Sequence, residues 1–238
     1  MINIIKEVIK ENKIKTLAIL VITVLLLNIK TDKWIQNRTV QLTNGRGSCS
    51  GEQITAPSGH TYILTAAHCL ELKDEHDSML VTLEDGKQLR RKVIAEDPKS
   101  DLLLLEGVPN LSGLKIASSI KRQEHVNTFT HGFAFKTYKT EGQIIDQRMS
   151  TVQVNPILCE SNMPKYKSIK VPSFFGIEME ICAMATIDSV TTAMIVPGSS
   201  GGMVVNDSGE LVGVVSAGDG VFGYLVTLED IREFIKGY

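Results

Sequence analysis

The chain has 238 residues, of which 43% are hydrophobic and 22% charged, so it can bury a sizeable core and does not have the composition of a disordered segment. Its 25 basic and 27 acidic residues leave a formal charge of -2, which excludes the basic footprint of a nucleic-acid binder. A short basic cluster at Lys87, Arg90, Arg91 and Lys92 reads as a solvated strand face. The four cysteines, Cys49, Cys69, Cys159 and Cys182, include no CxxC pair, which removes the usual zinc and thioredoxin-like readings. Their even number fits two disulfides and equally fits four buried thiols.

Residues 16–29 carry no charge and lie between Lys15 and Lys30. The run has the length of a signal-peptide core and falls short of the roughly 20 residues of a free spanning helix. Lysines at both ends can snorkel and extend its reach. Ahead of it Lys6, Lys10, Lys13 and Lys15 outnumber Glu7 and Glu11, so the start reads as cytoplasmic and the remainder as exported, either periplasmic or extracellular. No small-x-small cleavage site follows. The expected element is an uncleaved signal anchor with Trp34 near the far interface; a leader cleaved at an unusual site is the alternative. The expected division is a stub, anchor and juxtamembrane segment over 1–38 and one folded domain over 39–238.

From residue 39 the pattern changes to short apolar or alternating runs every ten or so residues, separated by turn signals. Asn206-Asp207-Ser208-Gly209 between two valine-rich runs predicts a hairpin. This spacing predicts an all-β barrel or sandwich rather than alternating strands and helices. Residues 107–120 read as a linker between two halves. Residues 160–174 are polar, contain two prolines and read as a long surface loop. At the tail, Thr227 is placed to cap a helix whose apolar positions are Leu228, Ile231, Phe234 and Ile235.

Three positions carry chemistry. Gly198-Ser199-Ser200-Gly201-Gly202 follows Pro197, and glycines around a serine allow a tight turn that presents the hydroxyl and converges N–H groups on one point. Such a point stabilises an oxyanion, but the hydroxyl needs a histidine base and an orienting carboxylate. Chain order restricts the choice. The cluster also fits the nucleophile elbow of α/β-hydrolases, whose histidine follows the serine; here the last histidine is His131. The subtilisin order fails as well, since Asp32 is the only aspartate before His68. The order His, Asp, Ser remains. His68 ends the strand-like run Leu64-Thr65-Ala66-Ala67, whose small residues allow it to pack beside a cleft. Asp101 heads a run of four leucines, with Asp97 as second candidate. His60, His76, His125 and His131 lack this setting and read as structural or exposed.

With TAAHC, SDLLLL and GSSGG in that order, the chain resembles the trypsin/chymotrypsin-like serine proteases over roughly residues 39–238. It resembles most the bacterial, phage or HtrA-like branch, without a PDZ domain. The resemblance implies two six-stranded antiparallel β-barrels with the active site between them and, with the helices read above, a C-terminal helix and a preceding membrane helix. It implies a serine endopeptidase acting on proteins or peptides and needing no metal or cofactor. Ser200 would be the nucleophile, His68 the base and acid, Asp101 its orienting partner, and the N–H groups of Gly198 and Ser200 the oxyanion hole. Ser216, Ala217 and Gly218 would lay out the substrate, with Ser216 bonded to Asp101. Cys49 would pair with Cys69, and Cys159 with Cys182. Met194, six residues before the nucleophile, would floor the primary pocket, with Gly218 and Gly220 on its wall and Phe222 narrowing it. That pocket predicts cleavage after Ala, Val, Leu or Met. Asp219 offers the rival reading, in which Lys and Arg are preferred. Ser199 stands where the digestive enzymes carry an aspartate that pairs with a new N-terminus, so no activating cleavage is expected. The alternatives in function are a catalytically inactive fold serving as a membrane-anchored binding module, and an esterase or transferase using the same acyl chemistry.

Overall fold

Alternation along the strands wraps each half of the chain into a ring. A computed structural model of the chain describes residues 16–238 except 18, 24, 25, 28, 45, 46, 75, 76, 135, 155–166 and 173–177, and only the backbone of 134 and 151–187. The first ring comprises β1 (Thr39–Thr43), β2 (Ser48–Thr55), β3 (Thr61–Thr65), β4 (Ser78–Thr82), β5 (Gln88–Asp97) and β6 (Leu102–Glu106). All its neighbours are antiparallel, in the order β1-β2-β3-β6-β5-β4, and β4 closes the barrel on β1. The second half adds β7 (His125–Thr130), β8 (Tyr138–Val154), β9 (Lys167–Pro172), β10 (Glu178–Thr191), β11 (Met203–Asn206), β12 (Leu211–Gly218) and β13 (Gly223–Val226). Its order is β13-β12-β11-β7-β8-β10, closed by pairing of β13 with β10. The two six-stranded antiparallel barrels implied by the resemblance are therefore present.

Strand β9 corrects one expectation. Residues 160–174 read as a loop, yet Lys167–Pro172 pairs with Glu178–Ala183 of β10, outside the ring. An edge strand is held by backbone hydrogen bonds, so it tolerates lysines and a terminal proline that hide it in the sequence. The rest of that segment lies outside the described residues.

The four leucines of β6 show how the barrels share a core. Leu103 and Leu105 pack with Val40, Leu42, Ile63, Met79 and Val81 inside the first barrel. Leu102 and Leu104 point the other way and join Ile54, Leu64, Phe129, Met203 and Val205 between the barrels. Val126, Ile144, Val204, Val212 and Leu225 fill the second barrel. A strand buried on both faces reads as a continuous apolar run, because period 2 separates two buried faces. Glu52 of β2 breaks this apolar pattern with an ionisable group. It lies between the buried Thr39 and Leu64 of the flanking strands, is 0% exposed, and neither carboxylate oxygen has a hydrogen-bond partner among the described residues. Burial pushes its carboxyl well above the usual carboxylate range.

Residues 107–120 connect the barrels as expected and bond to both. Leu114 exchanges backbone hydrogen bonds with β2, and Leu211 of β12 does so with Lys115 and Ala117. The Asn206–Gly209 turn joins β11 to β12, with the Asn206 side chain accepting from the Ser208 and Glu210 N–H groups. Thr227 caps the C-terminal helix Leu228–Ile235 by accepting from Asp230 N–H at 3.2 Å. Leu228, Ile231 and Ile235 are buried beneath it.

Every described residue between 16 and 36 is helical, and among the described residues no helix is long and apolar enough to cross a membrane. The lysine-rich stub, residues 1–15, lies outside the described residues. The end of this helical stretch docks on the barrels: Ile35 joins the shared core, Asp32 pairs with Lys139 at 3.1 Å, and the Arg38 guanidinium stacks over Trp34.

Candidate active site

The end of β3 passes through Ala66 and Ala67, both buried, into a short 3-10 helix, Ala67–Leu72, that carries His68 and Cys69. Ala66 packs in the core of the first barrel, so a side chain larger than methyl there would collide with it and displace this turn. Cys69 is joined by a disulfide to Cys49 of β2, which fastens the helix to the barrel wall. The His68 ring lies against this bridge, with ring nitrogen and both sulfurs within 4.8 Å of one another. The sulfurs are bonded to each other and supply no thiolate, so the trio is not a metal site. Cys159 lies outside the described residues, as does the side chain of Cys182.

Asp101 occupies the turn before β6 with φ 58°, a left-handed conformation that costs an L-residue about 1–2 kcal/mol. Its carbonyl accepts from Ala67 N–H at 3.1 Å. Its carboxylate turns back to His68, accepting from the His68 backbone N–H at 3.0 Å and facing ring Nδ1 at 3.0 and 3.1 Å. The Ser216 hydroxyl on β12 donates to its Oδ2 at 2.6 Å. Burial alone would raise the Asp101 carboxyl; the His68 charge and the hydrogen bonds from the His68 ring, Ser216 and the His68 backbone outweigh it and hold the group below its usual value. Asp97 instead accepts from Lys99 N–H as a turn residue.

The nucleophile candidate sits on a turn fixed from both barrels. Val196-Pro197-Gly198-Ser199 closes with Ser199 N–H on the Val196 carbonyl at 3.0 Å, and Gly198 takes φ 89° at the position where that turn requires it. Gly201, at φ 77°, passes so close to Thr65 and Ser50 that an added Cβ would lie 2.0 Å from Thr65 Oγ1. The Pro197 carbonyl accepts from Phe133 N–H at 2.7 Å, and the Gly198 carbonyl accepts from the Ser50 hydroxyl at 2.9 Å. The Ser199 carbonyl accepts from Gly202 N–H at 2.8 Å, and the Ser200 carbonyl accepts from Ser50 N–H at 2.8 Å. A trans peptide directs its N–H opposite to its C=O. Binding the Pro197 and Ser199 carbonyls therefore turns the Gly198 and Ser200 N–H groups outward, and among the described residues neither has an acceptor.

Beyond this turn the residues expected to meet the substrate divide. Met194 is 64% exposed, and its carbonyl accepts from the Thr140 hydroxyl. The next residue, Ile195, packs over the paired glycines of two neighbouring strands: a Cβ added to Gly218 of β12 would meet Ile195 Cβ at 2.7 Å, and one added to Gly223 of β13 would meet its Cγ1 at 2.6 Å. Ala217 follows Ser216 on β12, while Gly220 forms an open turn at φ 88° and Phe222 is half exposed beside it. The Asp219 carboxylate accepts from Val221 and Phe222 N–H and from the Tyr224 hydroxyl at 2.6 Å. These contacts, the Phe222 N–H foremost, hold it below its usual value, and the Tyr224–Asp219 hydrogen bond, with burial, pushes the Tyr224 phenol up to about 12. His131 is buried with its N–H on Ser50, His125 contacts Asp207, His60 is exposed, and His76 lies outside the described residues.

A family model described as a trypsin-like peptidase domain matches residues 49–214. The chain belongs to the trypsin-like peptidase family. A curated relative, a probable periplasmic serine protease do/HhoA-like of Haemophilus influenzae, is 30% identical over 180 residues, which make up 73% of this chain and 31% of the relative. The chain thus spans about a third of that protein. Among solved structures, the inactive form of the M. tuberculosis Rv3671c protease aligns with TM-score 0.61 at 17% identity, over 89% of this chain and 94% of that one. Its active form aligns with TM-score 0.60 at 18% identity, over 87% and 83%. The serine endoprotease of Yersinia pestis aligns with TM-score 0.59 at 17% identity, over 87% and 64%. These structural likenesses concern the fold. Sequence reading passed over Ile195, whose signal is the glycine pair at 218 and 223 that leaves room for it, and Ser50, which reads as an ordinary strand serine.

Proposed function

We propose that the chain is an active serine endopeptidase in which Ser200 attacks the scissile carbonyl. His68 Nε2 takes the serine proton and returns it to the leaving amine; water then releases the acyl group from Ser200 by the same route. Asp101 holds Nδ1 protonated and balances the imidazolium that forms. The outward N–H groups of Gly198 and Ser200 receive the oxyanion, each contributing roughly 10²–10³ in rate. The observation that carries the reading is the Asp101 carboxylate, largely enclosed and bound at once by the His68 ring, the His68 backbone and Ser216.

Ile195 packed over the paired Gly218 and Gly223 makes the pocket shallow and apolar, which favours small to medium apolar side chains such as Ala or Val before the cleaved bond. Asp219 is committed to its own loop, and a lysine or arginine in the pocket would lie there without a partner, a costly burial. The uncharged run at 16–29 serves as an anchor that leaves residues 1–15 in the cytoplasm and the protease domain over 39–238 outside, in keeping with the periplasmic name of the Haemophilus relative.

The test is hydrolysis of a peptide library by the purified protein beside its Ser200→Ala and His68→Ala variants. Cleavage after small apolar residues by the parent alone supports the reading; equal cleavage by Ser200→Ala would end it. Protease protection in intact spheroplasts tests the topology, and a catalytic domain shielded with cytoplasmic markers would contradict it.

A further inference from the structure

Ser199 is 0% exposed and its hydroxyl is the centre of a buried cluster. Thr130 Oγ1 of β7 lies 3.0 Å away, Tyr138 hydroxyl of β8 lies 3.0 Å away, and Val196 N–H donates to it at 3.4 Å. Three hydroxyls can each donate one proton and accept others, so the cluster is satisfied with no charge. This matters at this place in the chain. A carboxylate here would need a buried cation to balance it, whereas a serine needs only neutral partners that fold with the second barrel.

Ser199 is also the residue between the two outward N–H groups. Its own N–H closes the Val196–Ser199 turn, and its carbonyl accepts from Gly202 N–H. Fixing its side chain therefore fixes the Ser199–Ser200 plane, which carries the Ser200 N–H, and its two bonds to Val196 close the turn that contains the Pro197–Gly198 plane, which carries the Gly198 N–H. Tyr138 is held in turn by close packing: a Cβ on Gly132 would meet Tyr138 Cε1 at 2.5 Å and Val196 Cγ2 at 2.4 Å, so residue 132 must be bare for the phenol to reach the cluster.

We infer that Thr130, Tyr138 and Ser199 form a neutral hydroxyl hub that holds the Gly198 and Ser200 N–H groups in the oxyanion-binding orientation as soon as the chain folds. These are positioning residues: none touches the substrate, and they act through the turn. The inference rests on the proposed role of Ser200 and adds what sets the turn, with no ion pair to a newly cut N-terminus.

The experiment compares Thr130→Val, Thr130→Ser, Tyr138→Phe and Ser199→Ala with the parent, below the melting temperature of each. The readouts are kcat and KM on one peptide substrate and the rate of labelling by a fluorophosphonate. Loss of one hydroxyl should lower kcat and labelling about tenfold, the kinetic equivalent of one hydrogen bond, with KM within about twofold. Thr130→Ser, which keeps the hydroxyl, should restore most of the rate that Thr130→Val loses. If Ser199→Ala does not fold, the two Thr130 variants decide. Parent-like kcat in Thr130→Val and Tyr138→Phe would overturn the hub while leaving Ser200 as nucleophile. A parent that is not labelled at all would overturn both.

Discussion

The Ser216 hydroxyl of the second barrel donates to Asp101 of the first at 2.6 Å. The orientation of His68 is thereby set across the boundary between the barrels, and the shared core of Leu102, Leu104, Phe129 and Met203 keeps that boundary fixed. Ser216→Ala should remove one of the hydrogen bonds that hold the Asp101 carboxyl low, lowering kcat by about threefold to tenfold with little change in KM. Asp101→Asn should be far more severe, about 10⁴-fold, because it reverses the hydrogen-bonding pattern at Nδ1. Steady-state kinetics check both; a Ser216→Ala effect as large as that of Asp101→Asn would contradict the account.

The buried Glu52 predicts an unusual pH profile. Its folded-state carboxyl lies well above its unfolded value, so its contribution is fully favourable below the unfolded value and is lost as pH rises through the folded one. Glu52→Gln keeps the shape and removes the ionisation. The variant should gain melting temperature over the parent at about pH 8 and gain little at about pH 4, below the unfolded carboxyl value. Parallel melting curves across that range would show that Glu52 has a partner in solution.

Reduction of the Cys49–Cys69 bridge frees a 20-residue loop that carries His68. Cys49→Ser with Cys69→Ser should cost about 3 kcal/mol of stability on the chain-entropy account. Denaturant titration measures the loss, and peptide mapping without reductant should recover residues 49 and 69 in one linked pair. Free thiols at both positions in exported protein would refute the pairing.

Ile195→Ala should open space over the paired Gly218 and Gly223 and raise kcat/KM for Leu, Met or Phe substrates relative to Ala by about tenfold, the scale of one or two methylenes. Met194→Ala, at an exposed position, should leave the preference unchanged. Library profiling separates the two, and a shift that follows residue 194 would place Met194 at the floor of the pocket instead. Asp219→Asn should not alter the discrimination against Lys and Arg.

What the sequence shows and hides follows from the range of the interactions. His68, Asp101 and Ser200 each sit in a short motif whose glycines, alanines or leucines make the local backbone, so their order alone removes the competing catalytic families. The Asn206–Gly209 turn and the Thr227 cap are local for the same reason. Glu52 reads as an ordinary polar strand residue, because its burial depends on strand pairing with Thr39 and Leu64, thirteen and twelve positions away. Ile195 reads as one more apolar residue until Gly218 and Gly223, more than twenty positions later, are folded against it. Ser199 is visible as a departure from the digestive enzymes, but its partners Thr130 and Tyr138 belong to two other strands. Strand β9 is hidden because its place depends on backbone pairing with β10.

The most direct test of the central claim is intact-mass measurement after treatment with a fluorophosphonate. The parent should gain a single adduct, located on Ser200 by peptide mapping, and Ser200→Ala should gain none. An unmodified parent, or an adduct retained in Ser200→Ala, would contradict the assignment of Ser200 as a nucleophile activated by His68 and Asp101.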